Sequence, residues 1–174
     1  MGASTSSRRS WRKIDLDPLI LDTNILIEAL SGAESESARF MRAAEDLGCR
    51  FVFPVPVMVE LFYQTCELTG DETKALLAVE DVRALTNSEV VGISSGLEGE
   101  VARFFMLGNF ERIGGALLRK PRRGMVEGPL SMADCMVLAL GSALAGLVIT
   151  KDRAMKRADP GLVMTPSEML SAMG

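Results

Sequence analysis

The hydrophobic positions along the chain fall into two kinds of segment. Short apolar-rich runs at residues 18–21, 51–53, 89–93, 147–150 and 162–164 are bounded by polar residues. Runs of this length suit strands of a parallel sheet buried on both faces. Between them lie segments with helical spacing and helix punctuation. These predict helices over 24–30, closed by Gly32, and over 34–47, closed by Gly48. Further helices are predicted over 56–69, opened by Pro56 and stopped at Gly70, and over 73–85. Residues 97–118 read as helix with a break near Gly108 or Gly114-Gly115, followed by a basic loop from Arg119 to Pro129. Helices over 131–145 and 152–157 and a terminal helix opened by Pro166 complete the pattern. Strands alternating with helices predict an α/β fold, a single domain over 17–174 with a mostly parallel central sheet flanked by helices. Ligands of such sheets collect at the carboxyl ends of the strands.

Composition narrows the chemistry. The 174 residues are 48% hydrophobic but only 5% aromatic, with 11 methionines, so aliphatic and thioether side chains fill the core. Histidine is absent. That excludes Ser-His and Cys-His nucleophile pairs, histidine zinc sites and histidine acid–base cleavage of RNA. The Gly92-Ile93-Ser94-Ser95-Gly96 sequence therefore reads as a strand-to-helix turn and not a nucleophile elbow. A formal charge of −4 argues against a uniformly basic nucleic-acid binder. Cys49, Cys66 and Cys135 form no CxxC pair, which points to free thiols in a reducing cytoplasm. Residues 1–16 are expected to be a mobile basic arm; the myristoylation pattern at Gly2 and Ser6 is met only literally. Residues 135–149 are uncharged but shorter than the roughly 18–20 residues that span a bilayer, so no membrane association is expected.

Four carboxylates stand where a charge is costly. Asp22 ends an apolar strand, Glu60 lies within Val57-Met58-Val59-Glu60-Leu61-Phe62, Asp134 opens an apolar helix, and Asp152 follows Leu147-Val148-Ile149 by two residues. Each aspartate also fits a helix-capping role, Asp134 through the Ser131-x-x-Asp134 capping box. In an α/β fold, however, all four would meet at one edge of the sheet. Two carboxylates ~4 Å apart repel by about 4 kcal/mol at an effective dielectric of ~20. Such a cluster needs protons or a cation. Oxygen ligands alone suit Mg2+ or Mn2+ better than zinc, and such a site activates water and clamps a phosphodiester.

Leu21-Asp22-Thr23-Asn24, the helical Glu60, Ala133-Asp134 and Thr150-Lys151-Asp152 resemble, in order and spacing, the motifs of the PIN domain, most nearly the VapC-type toxins. The resemblance runs from about Leu19 to the C-terminus. It implies a parallel sheet between helices, a single PIN-like nuclease domain, Mg2+- or Mn2+-dependent endoribonuclease activity, a homodimer and inhibition by a small antitoxin. By residue, it makes Asp22, Glu60, Asp134 and Asp152 the acidic metal cluster. Thr150 becomes the hydroxyl that orients the first aspartate, and Asn24 a supporting polar residue. Because such a site repels RNA, cations must stand nearby; Arg112, Arg119, Lys120, Arg122, Arg123 and Lys151 are the candidates, with Arg153 beside them. The alternative is a PIN-fold module that binds RNA or protein without catalysis.

Overall fold

The computed structural model of the chain describes residues 17–92, 94, 96–113, 116–119 and 129–174, with backbone alone at 111–113 and 117–119. The arm expected over residues 1–16, and Lys120, Arg122 and Arg123, lie outside the described residues. In chain order, β1 (Leu19–Leu21) leads into α1 (Thr23–Ser31) and α2 (Glu36–Asp46). β2 (Phe51–Pro54) leads into α3 (Val55–Thr69) and α4 (Glu72–Arg83), and β3 (Ser88–Val91) into α5 (Glu98–Asn109). A hairpin of β4 (Phe110–Ile113) and β5 (Ala116–Arg119) comes next. After it come α6 (Met132–Ala143), β6 (Leu147–Ile149), α7 (Arg153–Ala158), β7 (Val163–Met164) and α8 (Pro166–Met173).

Five strands pair in parallel in the order β3-β2-β1-β6-β7. Every residue of β1, β2 and β6 is buried, as uninterrupted apolar runs require. The chain steps outward from β1 through β2 to β3, then returns to the other side of β1 with β6 and β7. The order therefore reverses between β1 and β6, and the carboxyl ends of those two strands flank the crevice where a ligand fits. Helix ends follow local chemistry: Pro56 sits in the first turn of α3, and Gly70 ends that helix at φ 65°, in the left-handed region. Among the described residues no helix is long and apolar enough to cross a membrane.

The register between β1 and β6 depends on Gly146. A Cβ there would stand 2.5 Å from the main-chain oxygen of Pro18 and 2.6 Å from the Ile20 side chain. That Pro18 oxygen accepts the Leu147 N–H at 2.9 Å, so the close approach and the strand pairing are one feature.

The helix expected over 97–118 is corrected. It stops at Asn109, whose buried Nδ2 donates to the Phe105 and Leu130 carbonyls, 3.0 and 3.1 Å away. Residues 110–113 then pair antiparallel with residues 116–119, Phe110 with Arg119 and Arg112 with Leu117. The break expected at Gly114-Gly115 lies outside the described residues.

Gly146→Ala is expected to lower the unfolding free energy by about 1–3 kcal/mol, because a buried strand pair must separate to admit the methyl group. Urea titration measures this, and wild-type stability would show that the contact yields without cost.

Candidate active site

Asp22 is the first residue after β1, and its N–H donates to the Ile149 carbonyl at 3.1 Å, which holds it across the switch point from the end of β6. Its side chain is buried and accepts three hydrogen bonds. Thr23 N donates to Oδ1 at 2.8 Å, while Asn24 Nδ2 and Thr150 Oγ1 each donate to Oδ2 at 2.6 Å. Thr150 is the organising hydroxyl. Besides donating to Asp22, its Oγ1 accepts from Asn24 Nδ2 and from the Asp152 N–H, both at 2.9 Å, which uses its full hydrogen-bonding capacity. Asn24 adds a third hydrogen bond, its Oδ1 accepting the Lys151 N–H at 3.2 Å.

Glu60 projects from the second turn of α3, following the strand beside β1. Thr23 Oγ1 donates to its Oε2 at 2.9 Å and Gln64 Nε2 to its Oε1 at 2.7 Å. Thr23 thus bridges two of the acids, its N–H on Asp22 and its hydroxyl on Glu60. Asp134 closes a capping box at the start of α6: Ser131 Oγ accepts the Asp134 N–H at 3.1 Å, and Asp134 Oδ2 accepts the Ser131 N–H at 2.7 Å. Asp152 caps α7, with Oδ1 accepting from Ala154 N at 2.6 Å and Met155 N at 3.4 Å. The capping alternatives raised by the sequence are therefore all realised. The caps engage Asp134 Oδ2 and Asp152 Oδ1, so the other oxygen of each carboxylate takes no part in capping.

The acids also act on one another. Burial pushes the Asp22 carboxyl up to about 6 against the hydrogen bond from Thr150, and the charges of Asp134 and Glu60 push it further the same way. Burial raises Asp134 as well, with Asp152 and Glu60 adding to the rise. All four acids are thus coupled at one edge of the sheet. Burial and the adjacent Asp134 carry the Cys135 thiol up to about 11, so it is an inert core thiol; no disulfide joins Cys49, Cys66 or Cys135.

The donor set is hard oxygen, and its charge is under-compensated, which fits Mg2+ or Mn2+. Among the described residues, however, no three acidic side chains stand close enough to enclose one ion. Mg2+ keeps several waters and needs only one or two carboxylates from the protein.

The expected cations are placed unevenly. Arg112 lies on β4, not on a helix, and Arg119 on β5. Lys151 has its ammonium 2.6 Å from Glu28 and 3.4 Å from Glu36, so its charge is already engaged. Sequence reading gave no role to Thr23, Gln64 or Glu28. Gln64 could have been found from its i+4 spacing to Glu60 on one helix face.

The PIN domain family model matches residues 19–160. No curated protein matches the chain by sequence. Among solved structures, the chain is similar to VapBC2 from Rickettsia felis bound to a DNA fragment from its promoter. That match has 12% identity and a TM-score of 0.62 over 84% of this chain and 97% of the other. DNA-bound VapBC from Salmonella typhimurium matches at 16% identity and a TM-score of 0.61, over 87% and 99%. A toxin–antitoxin complex from Klebsiella pneumoniae matches at 19% and 0.54, over 85% and 97%. At these identities the likeness is one of fold.

The raised Asp22 carboxyl has a consequence for stability. The folded state holds its proton more tightly than the unfolded chain does, so this contribution is intact below pH ~4 and is lost as pH rises through about 6. Between pH 4 and pH 8, metal-free wild type should lose about 2 kcal/mol relative to Asp22→Asn. Urea unfolding in EDTA at the two pH values measures the difference, and parallel pH dependence of the two proteins would refute it.

Proposed function

The chain belongs to the PIN domain family, and from that premise we propose that it is a Mg2+- or Mn2+-dependent endoribonuclease and the toxin of a toxin–antitoxin pair. The observation that carries this reading is the coupled set of carboxylates at the carboxyl ends of β1 and β6, where burial and like charges raise Asp22 and Asp134. In this proposal Asp22 and Asp134 are the direct ligands, Glu60 ligates or serves as base, and Asp152 acts through water. Thr150 and Asn24 hold the Asp22 carboxylate in place. A bound divalent cation would lower the pKa of an attacking water and neutralise charge on the scissile phosphodiester. The chain has no histidine to share that task, so proton transfer falls to Glu60 or to water. Arg112, Arg119, Lys120, Arg122 and Arg123 would supply the positive charge that brings RNA to an acidic crevice.

The partner reading rests on surface chemistry and on the neighbours, which are toxin–antitoxin complexes. A groove of about 270 Å3 between α1, α2 and α4, lined by Leu26, Leu30, Met41, Val82 and Leu85, suits the apolar face of a small antitoxin. Exposed Val55, Val59 and Tyr63 recur every fourth residue on α3 and suit a homodimer contact. Cysteines outside any disulfide fit a cytoplasmic protein.

The alternative, a PIN-fold module that binds RNA or protein without catalysis, draws on the capping bonds of Asp22, Asp134 and Asp152. Metal dependence separates the two. Purified protein should cut RNA with Mg2+ or Mn2+ and stop in EDTA. Asp22→Asn and Asp134→Asn should each lose several kcal/mol of transition-state stabilisation, about a hundredfold or more in rate. Cleavage that persists undiminished in EDTA or in both variants would end the proposal.

A further inference from the structure

We propose that Lys151 is a positioning residue, which clamps the loop between β6 and α7 so that Asp22, Asn24 and Asp152 are set for a divalent cation, and that it is not a contact to the RNA backbone. This rests on the nuclease reading above. Lys151 is held at both ends. Its ammonium joins Glu28 on α1, 2.6 Å away, to Glu36 in the first turn of α2, 3.4 Å away. The buried Ser37 hydroxyl donates to the same Glu28 oxygen at 2.5 Å and fixes the receiving carboxylate. The Lys151 main-chain N–H donates to Asn24 Oδ1 at 3.2 Å, and Asn24 in turn donates to Asp22 and Thr150. The residues on either side are Thr150, which donates to Asp22, and Asp152, which caps α7. One side chain therefore ties the loop carrying two site residues to the two helices that follow the first aspartate.

Charge points the same way. One ammonium faces two carboxylates, so the cluster is net negative and a phosphate approaching Lys151 would meet repulsion. Partly exposed ion pairs of this kind add little to global stability. The clamp should therefore be felt in the geometry of the site and not in the melting temperature. Partners that orient metal ligands commonly change metal affinity ten- to a hundredfold when removed.

The test uses the full chain and the variants Lys151→Met, Lys151→Arg and Glu28→Gln. Mn2+ binding is followed by loss of the free-ion paramagnetic resonance signal, and RNA binding in EDTA is measured across a salt series. Lys151→Met should bind Mn2+ about tenfold more weakly or worse, although deleting a positive charge would by itself strengthen cation binding. Lys151→Arg should restore most of the affinity, Glu28→Gln should lose it, and the salt dependence of RNA binding should stay that of wild type. Wild-type Mn2+ affinity in Lys151→Met would overturn the proposal. So would a salt slope smaller by about one with tighter RNA binding in Glu28→Gln, the signature of a phosphate contact. A wild-type protein that neither binds Mn2+ nor cuts RNA would instead remove the nuclease reading, and this proposal with it.

Discussion

A single buried carboxylate sets the terms for the rest of the structure. Asp22 sits where the strand order reverses, and its three hydrogen bonds do not offset the burial and neighbouring negative charge that lift its pKa to about 6. A carboxylate in that position is a standing cost to the fold near neutral pH. The surroundings hold it there regardless, through Thr150, whose hydrogen-bonding capacity is spent on the site, and Asn24, which makes three hydrogen bonds there. Such an investment of buried polar groups makes sense if the carboxylate meets a cation in use, which is the reading we propose.

The fold supplies that position by backbone means. Pairing of β1 with β6 brings residues far apart in sequence into hydrogen-bond range, and Gly146 permits the pairing because no side chain stands between the strands. The helix starts do the rest. Asp22, Asp134 and Asp152 each satisfy N–H groups at the start of a helix, where the helix dipole also favours negative charge. Capping and ligation are therefore compatible duties: each cap uses some lone pairs of the carboxylate and leaves others. Glu60 differs, since it is held by side chains from two helices and caps nothing.

Much of this was legible in the residues alone. The central strands were plain because β1, β2 and β6 are buried on both faces and read as continuous apolar runs. Pro56 and Gly70 marked the ends of α3, and Ser131 the start of α6, because each has a local stereochemical reason to be there. The hairpin was not legible, because α5 ends through a tertiary bond from Asn109 to Leu130, and the helical spacing before it drew the expectation past Gly108. In the site, the acids were found from the cost of charge among apolar neighbours. The engagement of Lys151 was not found, since Glu28 and Glu36 come from distant segments and a lysine beside an aspartate looks the same whether paired or free.

The claim that an uncompensated carboxylate cluster awaits a divalent ion is tested most directly by diffraction from crystals soaked in Mn2+, with data collected at the manganese absorption edge. The account predicts an anomalous peak at the carboxyl ends of β1 and β6, bonded to Asp22 and Asp134. Crystals at millimolar Mn2+ with no peak there, and with both carboxylates still occupied only by their hydrogen-bond donors, would contradict it.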